Sequence, residues 1–177
     1  MEITKTILTA FIGLFTVFSS FANFKHRSQF ICEVNPKIEF RTTVDNKDNE
    51  TLTDSIMREA ESHKGKKYVW ATRGPKTFDC SGFVYYVFKQ FDIILSPSSR
   101  NQYTLGEHVN RNDAMPGDLI FFHSRKHPKG VGHVGIVWEN SDEGIKFIHA
   151  SCSQGVTISH LSGYYERNFV GIKRVLD

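Results

Sequence analysis

A cysteine stands where a loop must give way to a helix. The stretch Phe78-Asp79-Cys80-Ser81-Gly82-Phe83-Val84 follows a Gly-Pro loop, Arg73-Gly74-Pro75-Lys76-Thr77. It leads into apolar residues at helical spacing: Phe83, Val84, Val87, Phe88 and Phe91. A thiol in the first turn of a helix meets the positive end of the helix dipole and N–H groups that have no helical acceptor. Both favour the thiolate, the nucleophilic form, so the position predicts a lowered pKa for Cys80. The same N–H groups can hydrogen-bond an oxyanion that forms beside the sulfur. The bland alternative is a buried cysteine that only packs.

A nucleophilic cysteine needs a base, and two histidines downstream lie in strand-like runs. His133 lies in Gly132-His133-Val134-Gly135-Ile136-Val137-Trp138, and His149 in Ile145-Lys146-Phe147-Ile148-His149-Ala150. The order Cys, His, second polar residue is that of a papain-like site, where the third group orients the imidazole. Taken singly, each histidine could equally be a structural residue.

The elements around these residues divide the chain into helices first and strands second. Thr53 or Asp54 can cap a helix running to about His63, with Ile56, Met57 and Ala60 on its apolar face and Gly65 as its stop. The cysteine helix runs to about Gln90, Pro97 marks a turn, and Asn101 to Gly106 reads as a short helix that offers Gln102 and Tyr103 to the site. Pro116-Gly117 then switches the chain to β structure. Strands are predicted at 118–123, 133–138, 145–149, 156–159 and 169–175, with Asn140 to Gly144 as a hairpin loop. Neighbouring antiparallel strands would let His133 and His149 share a face. The fold class is α+β: N-terminal helices followed by a C-terminal antiparallel β-sheet.

Six segments, in order, resemble the NlpC family of bacterial cell-wall cysteine peptidases. They are Gly65-Lys66-Lys67-Tyr68-Val69-Trp70, Phe78-Asp79-Cys80-Ser81-Gly82-Phe83, Ser99-Arg100-Asn101-Gln102, Met115-Pro116-Gly117-Asp118-Leu119-Ile120-Phe121-Phe122, Gly132-His133-Val134-Gly135-Ile136 and Phe147-Ile148-His149-Ala150-Ser151. The resemblance implies the papain-like version of the fold, with the nucleophile helix packed on the C-terminal antiparallel β-sheet, Cys80 as nucleophile, His133 as general base and His149 as the group orienting it. It implies substrate-binding roles for Tyr68, Asp79, Ser81 and Arg100. Two stretches depart from the family pattern. Trp70 is followed by Ala71-Thr72-Arg73-Gly74 where a glycine pair is usual, and the basic segment from His123 to Val131 precedes the base strand.

The remainder bounds the partners. Residues 1–22 read as a signal peptide: Ile7 to Phe18 is apolar, short for a membrane span, and Ser20-Phe21-Ala22 offers small residues for cleavage. An uncleaved anchor is the alternative. Residues 23–50 read as a polar arm or linker, and 51–177 as the peptidase domain. The three cysteines do not make a disulfide framework, although a Cys32–Cys152 bridge or a lipid on Cys32 is conceivable. Zinc held by Cys80, His133 and His149 fits the ligand types but not the spacing of a compact zinc motif, so no metal and no cofactor are expected. A net charge of +3 gives a weak attraction to anionic wall polymers, and no nucleic-acid or phosphate-loop motif is present. The expected protein is a secreted or periplasmic monomer, free of the membrane after signal cleavage. The resemblance implies that it would cut peptidoglycan stem peptides at the bond between D-γ-glutamate and diaminopimelate or lysine. The competing readings are an amidase or acyltransferase on another wall substrate, and an idle wall-binding protein.

Overall fold

The computed structural model describes residues 50–176. The expected signal peptide, nearly all of the expected arm, and Cys32 lie outside the described residues. Helix α1 (Leu52–Ser62) starts with a capping box. Thr51 Oγ1 accepts from the Asp54 amide at 3.1 Å, and the Asp54 carboxylate accepts from the Thr51 amide at 3.1 Å. The helix therefore begins earlier than a cap at Thr53 or Asp54 would have it. Helix α2 (Cys80–Lys89) and the short α3 (Ser99–Tyr103) follow. Then come β1 (Glu107–Val109), β2 (Leu119–Phe122), β3 (His133–Ser141), β4 (Gly144–Ser151) and β5 (Gly155–His160). Helix α4 (Gly163–Arg167) and β6 (Phe169–Arg174) end the chain.

The six strands form one antiparallel sheet in the order β1-β6-β2-β3-β4-β5. All four residues of β2 are buried, because both faces of the sheet are covered. Leu119 and Phe121 face α2, where they meet Phe83, Val84, Val87 and Phe88. Ile120 and Phe122 face the other way, with Val137, Phe147 and Ile172, under Tyr165 and Phe169. This is the period-two alternation of a strand applied to a strand with two dry faces. Each such side chain contributes about 1.5–3 kcal/mol.

Three elements differ from the sequence reading. The β3–β4 ladder continues to Ser141 opposite Gly144, leaving a two-residue turn at Asp142-Glu143 instead of a five-residue loop. Strand β1 and helix α4, neither predicted, extend one edge and cover the second face. The sheet is also tied to flanking segments by polar contacts. Arg174 Nε and Nη2 each donate at 2.8 Å to the buried carboxylate of Asp118, which also accepts from the Met115 amide. At the far edge, Gly65 N donates to Val156 O and Val156 N to Lys66 O, both at 2.8 Å. The chain continues from there into the loop that reaches Cys80.

Candidate active site

Cys80 is the first residue of α2, and the residues on either side of it hold the helix start together. Asp79 is the N-cap: its Oδ1 accepts from the Gly82 amide at 2.6 Å. Ser81 Oγ lies 3.2 Å from that same oxygen and 3.1 Å from Pro97 O. Thr72 O accepts from the Asp79 amide at 2.9 Å, and this approach needs a glycine at position 82. A Cβ there would stand 2.1 Å from Thr72 O.

The thiol is 7% exposed. Burial, followed by the neighbouring Asp79 carboxylate, pushes its pKa up to about 12 against the opposing pull of the Ser81 and Val134 N–H groups. The lowered pKa expected from the helix terminus is therefore corrected. Desolvation of the thiolate outweighs the pull of the backbone N–H groups. The Val134 contact puts the sulfur against β3, one residue from His133.

His133 and His149 come together as diagonal neighbours on β3 and β4. Their rings are 5.0 Å apart and nearly perpendicular, and His133 Nε2 lies 2.8 Å from His149 Nδ1. Gly135 leaves the room for this, since a Cβ there would sit 3.1 Å from His149 Cβ and 2.8 Å from the Phe147 ring. On the far side, His149 Nε2 meets Ser159 Oγ at 3.0 Å and Tyr165 Oη at 3.4 Å. Burial pushes the pKa of His133 down to about 4. Burial and then the His133 charge push His149 down to about 2. Both imidazoles are neutral at neutral pH, so each carries one N–H. Ser159 and Tyr165 were missed by sequence reasoning. The only signal for Ser159 is its place two residues after Thr157 on one face of β5.

The other predicted residues divide. Tyr68 is half-buried and lies near Cys80 and Cys152, and burial pushes its phenol pKa upward. Asp79, Ser81 and Arg100 line, with Cys80, a cleft of 370 Å³ that also takes in Trp70, Arg73, Lys126 and His127. Arg100 Nη2 lies 2.6 and 2.8 Å from the two ring nitrogens of His127. Gln102 and Tyr103 are not offered to the cleft. Gln102 is fully buried and donates through Nε2 to Ser81 O at 3.1 Å and Ser96 O at 2.7 Å. Tyr103 packs edge-on against Phe121. Among the described residues, no group of three or more His, Cys, Asp or Glu side chains comes together to hold a metal ion.

A model of the NlpC/P60 family matches residues 65–174. A probable endopeptidase p60 of Listeria grayi is 38% identical over 138 residues, covering 76% of this chain and 25% of that protein. A gamma-DL-glutamyl hydrolase of Bacillus subtilis is 39% identical over 130 residues, covering 72% of this chain and 30% of that protein. The chain thus spans about a quarter to a third of the length of these curated relatives. A Staphylococcus aureus protein described as similar to a lipoprotein of the NLP/P60 family has a crystal structure that superposes with a TM-score of 0.64. It is 31% identical, over 75% of this chain and 45% of that one.

Proposed function

The chain belongs to the NlpC/P60 family, and from that premise we propose that it is a cysteine endopeptidase of peptidoglycan, acting in the bacterial cell envelope on stem peptides. The bond it cuts is the one between D-γ-glutamate and diaminopimelate or lysine. The names of its relatives support the reading, as does one observation that carries it. A cysteine at the head of a helix lies beside a strand whose histidine is held by a second histidine.

A base at His133 requires a particular arrangement of protons. His133 Nε2 is engaged by His149, so Nδ1 is the nitrogen left for the thiol. For Nδ1 to accept a proton, Nε2 must carry one and donate it to His149 Nδ1. His149 then holds its own proton on Nε2 and donates to Ser159 Oγ. In this arrangement His149 keeps His133 in the tautomer that can act as a base. The resting pair is neutral, thiol and imidazole, given values near 12 and 4. The thiol proton passes to His133 Nδ1 as sulfur attacks the γ-carbonyl carbon, and the N–H groups at the head of α2 stabilise the oxyanion. His133 returns the proton to the leaving amine. Water then gives a proton to the same nitrogen as its oxygen bonds the thioester carbon; the C–S bond breaks, the glutamyl group leaves with its new carboxyl end, and His133 returns the proton to the Cys80 sulfur.

The test is digestion of purified peptidoglycan by residues 23–177, with products identified by mass spectrometry and the Cys80→Ala protein beside it. New D-γ-glutamyl carboxyl ends that disappear in the variant are expected. Intact peptidoglycan with the parent protein would overturn the proposal.

A further inference from the structure

His149 is fully buried, and one of its ring nitrogens meets hydroxyls from two different elements. Ser159 Oγ on β5 lies 3.0 Å from Nε2, and Tyr165 Oη on α4 lies 3.4 Å from it. The Tyr165 ring is fixed by its neighbours. Its centre is 4.9 Å from that of Phe147, 5.2 Å from that of Phe122 and 6.3 Å from that of His133. A neutral imidazole nitrogen carries either a proton or a lone pair. A bare Nε2 can accept from one hydroxyl only, and the second oxygen would then face it unpaired. A protonated Nε2 can share its hydrogen between both oxygens, in a three-centre bond with one shorter and one longer arm. Two hydroxyls on this nitrogen therefore favour N–H there. A serine alone would not, because its hydroxyl rotates to donate or to accept.

We propose that Tyr165 is a positioning residue: its hydroxyl fixes the His149 proton on Nε2 and so sets His133 as a base. With Nε2 protonated, His149 Nδ1 is bare, and the 2.8 Å contact makes it the acceptor of the His133 Nε2 proton. His133 Nδ1 is then free to take a proton from the thiol. In the reverse arrangement Ser159 donates to His149 Nε2, His149 Nδ1 donates to His133 Nε2, and His133 Nδ1 already carries its proton. The sequence of contacts is the same in both arrangements, and the second oxygen on His149 is what separates them. The inference rests on the peptidase reading only for the use made of the bare His133 nitrogen. Tyr165 acts through His149, from an element that covers the sheet face opposite α2.

Tyr165→Phe tests this, since it removes the hydroxyl and keeps the ring. The readout is proton–nitrogen NMR correlation of the nitrogen-labelled protein at neutral pH, where both imidazoles are neutral. In the parent, His149 is expected to show a protonated Nε2 and a bare Nδ1. In Tyr165→Phe the two nitrogen signals should move toward each other as the two arrangements mix. The kcat on peptidoglycan should fall about threefold with KM unchanged. A parent His149 protonated on Nδ1 would overturn the proposal. Nitrogen signals unmoved in the variant would overturn it whatever the kcat, because Tyr165 would then be a packing residue. An unaltered kcat would overturn it too. Peptidoglycan left intact by the parent, with the nitrogen shift present, would remove the proposed reaction and leave the proton lock standing.

Discussion

Replacing Gly82 by alanine sets a general rule against a local one. In a helix, alanine is ordinarily better than glycine by about 1 kcal/mol. Here the new Cβ would begin 2.1 Å from Thr72 O, and real Cβ contacts essentially never fall below 3.0 Å, so about 0.9 Å must be recovered by movement. The obstacle is backbone, and that carbonyl accepts the Asp79 amide at 2.9 Å. Overpacking of this kind costs about 1–3 kcal/mol. Losing the Asp79 hydrogen bond adds about 1 kcal/mol, which the helix preference offsets. The net loss is about 1–3 kcal/mol, or a fall in Tm of roughly 3–15 °C for a domain of this size. Thermal unfolding followed by circular dichroism reads it, with Gly130→Ala as the control. A Cβ at Gly130 meets nothing within 4 Å, so that melt should be unmoved. A Gly82→Ala protein as stable as its parent would refute the claim that Thr72 grips the head of α2.

Three further outcomes follow from the same geometry. His133 and His149 are held neutral, with pKa values below their unfolded value of about 6.5. Unfolding takes up protons below that pH, so their contribution is complete above about 6.5 and is lost as pH falls toward 4. Each gives a slope of up to about 1.4 kcal/mol per pH unit, and a Tm that does not drop between pH 7 and pH 5 would contradict it. Alkylation of Cys80 by iodoacetamide, mapped by peptide mass, should keep accelerating through pH 9, whereas a plateau below pH 7 would show a thiolate that burial does not suppress. Ser159→Ala removes a single hydrogen bond to His149 and should lower kcat on peptidoglycan about fivefold with little change in KM; an unaltered kcat would make Ser159 a bystander.

The helix junction at Cys80 and the strands bearing His133 and His149 were legible because each rests on local rules: apolar spacing, turn residues and β-branched runs. The pairing of the histidines followed from antiparallel neighbours, although Gly135 as the residue that makes room for it did not. What stayed hidden depends on tertiary enclosure. The sign of the Cys80 shift turns on how much protein covers the sulfur, and no local motif encodes that. Helix α4 is five residues long and β1 three, too short to show a period. Ser159 is one serine among many until β5 is folded beside β4. Gln102 sits on a motif that looked open to the cleft, yet it is buried and its amide nitrogen is spent bridging Ser81 O and Ser96 O.

The hydrogen bonds between Gly65-Lys66 and Val156 have a consequence for how copies of this protein behave toward one another. An outermost strand offers unpaired backbone groups to any passing chain, the usual route to strand addition and aggregation. On this sheet the β5 margin is occupied at Val156 by the protein's own loop. The opposite margin is a strand of only three residues, Glu107–Val109, two of them exposed. Self-association through continuous sheet growth is thereby discouraged at both ends.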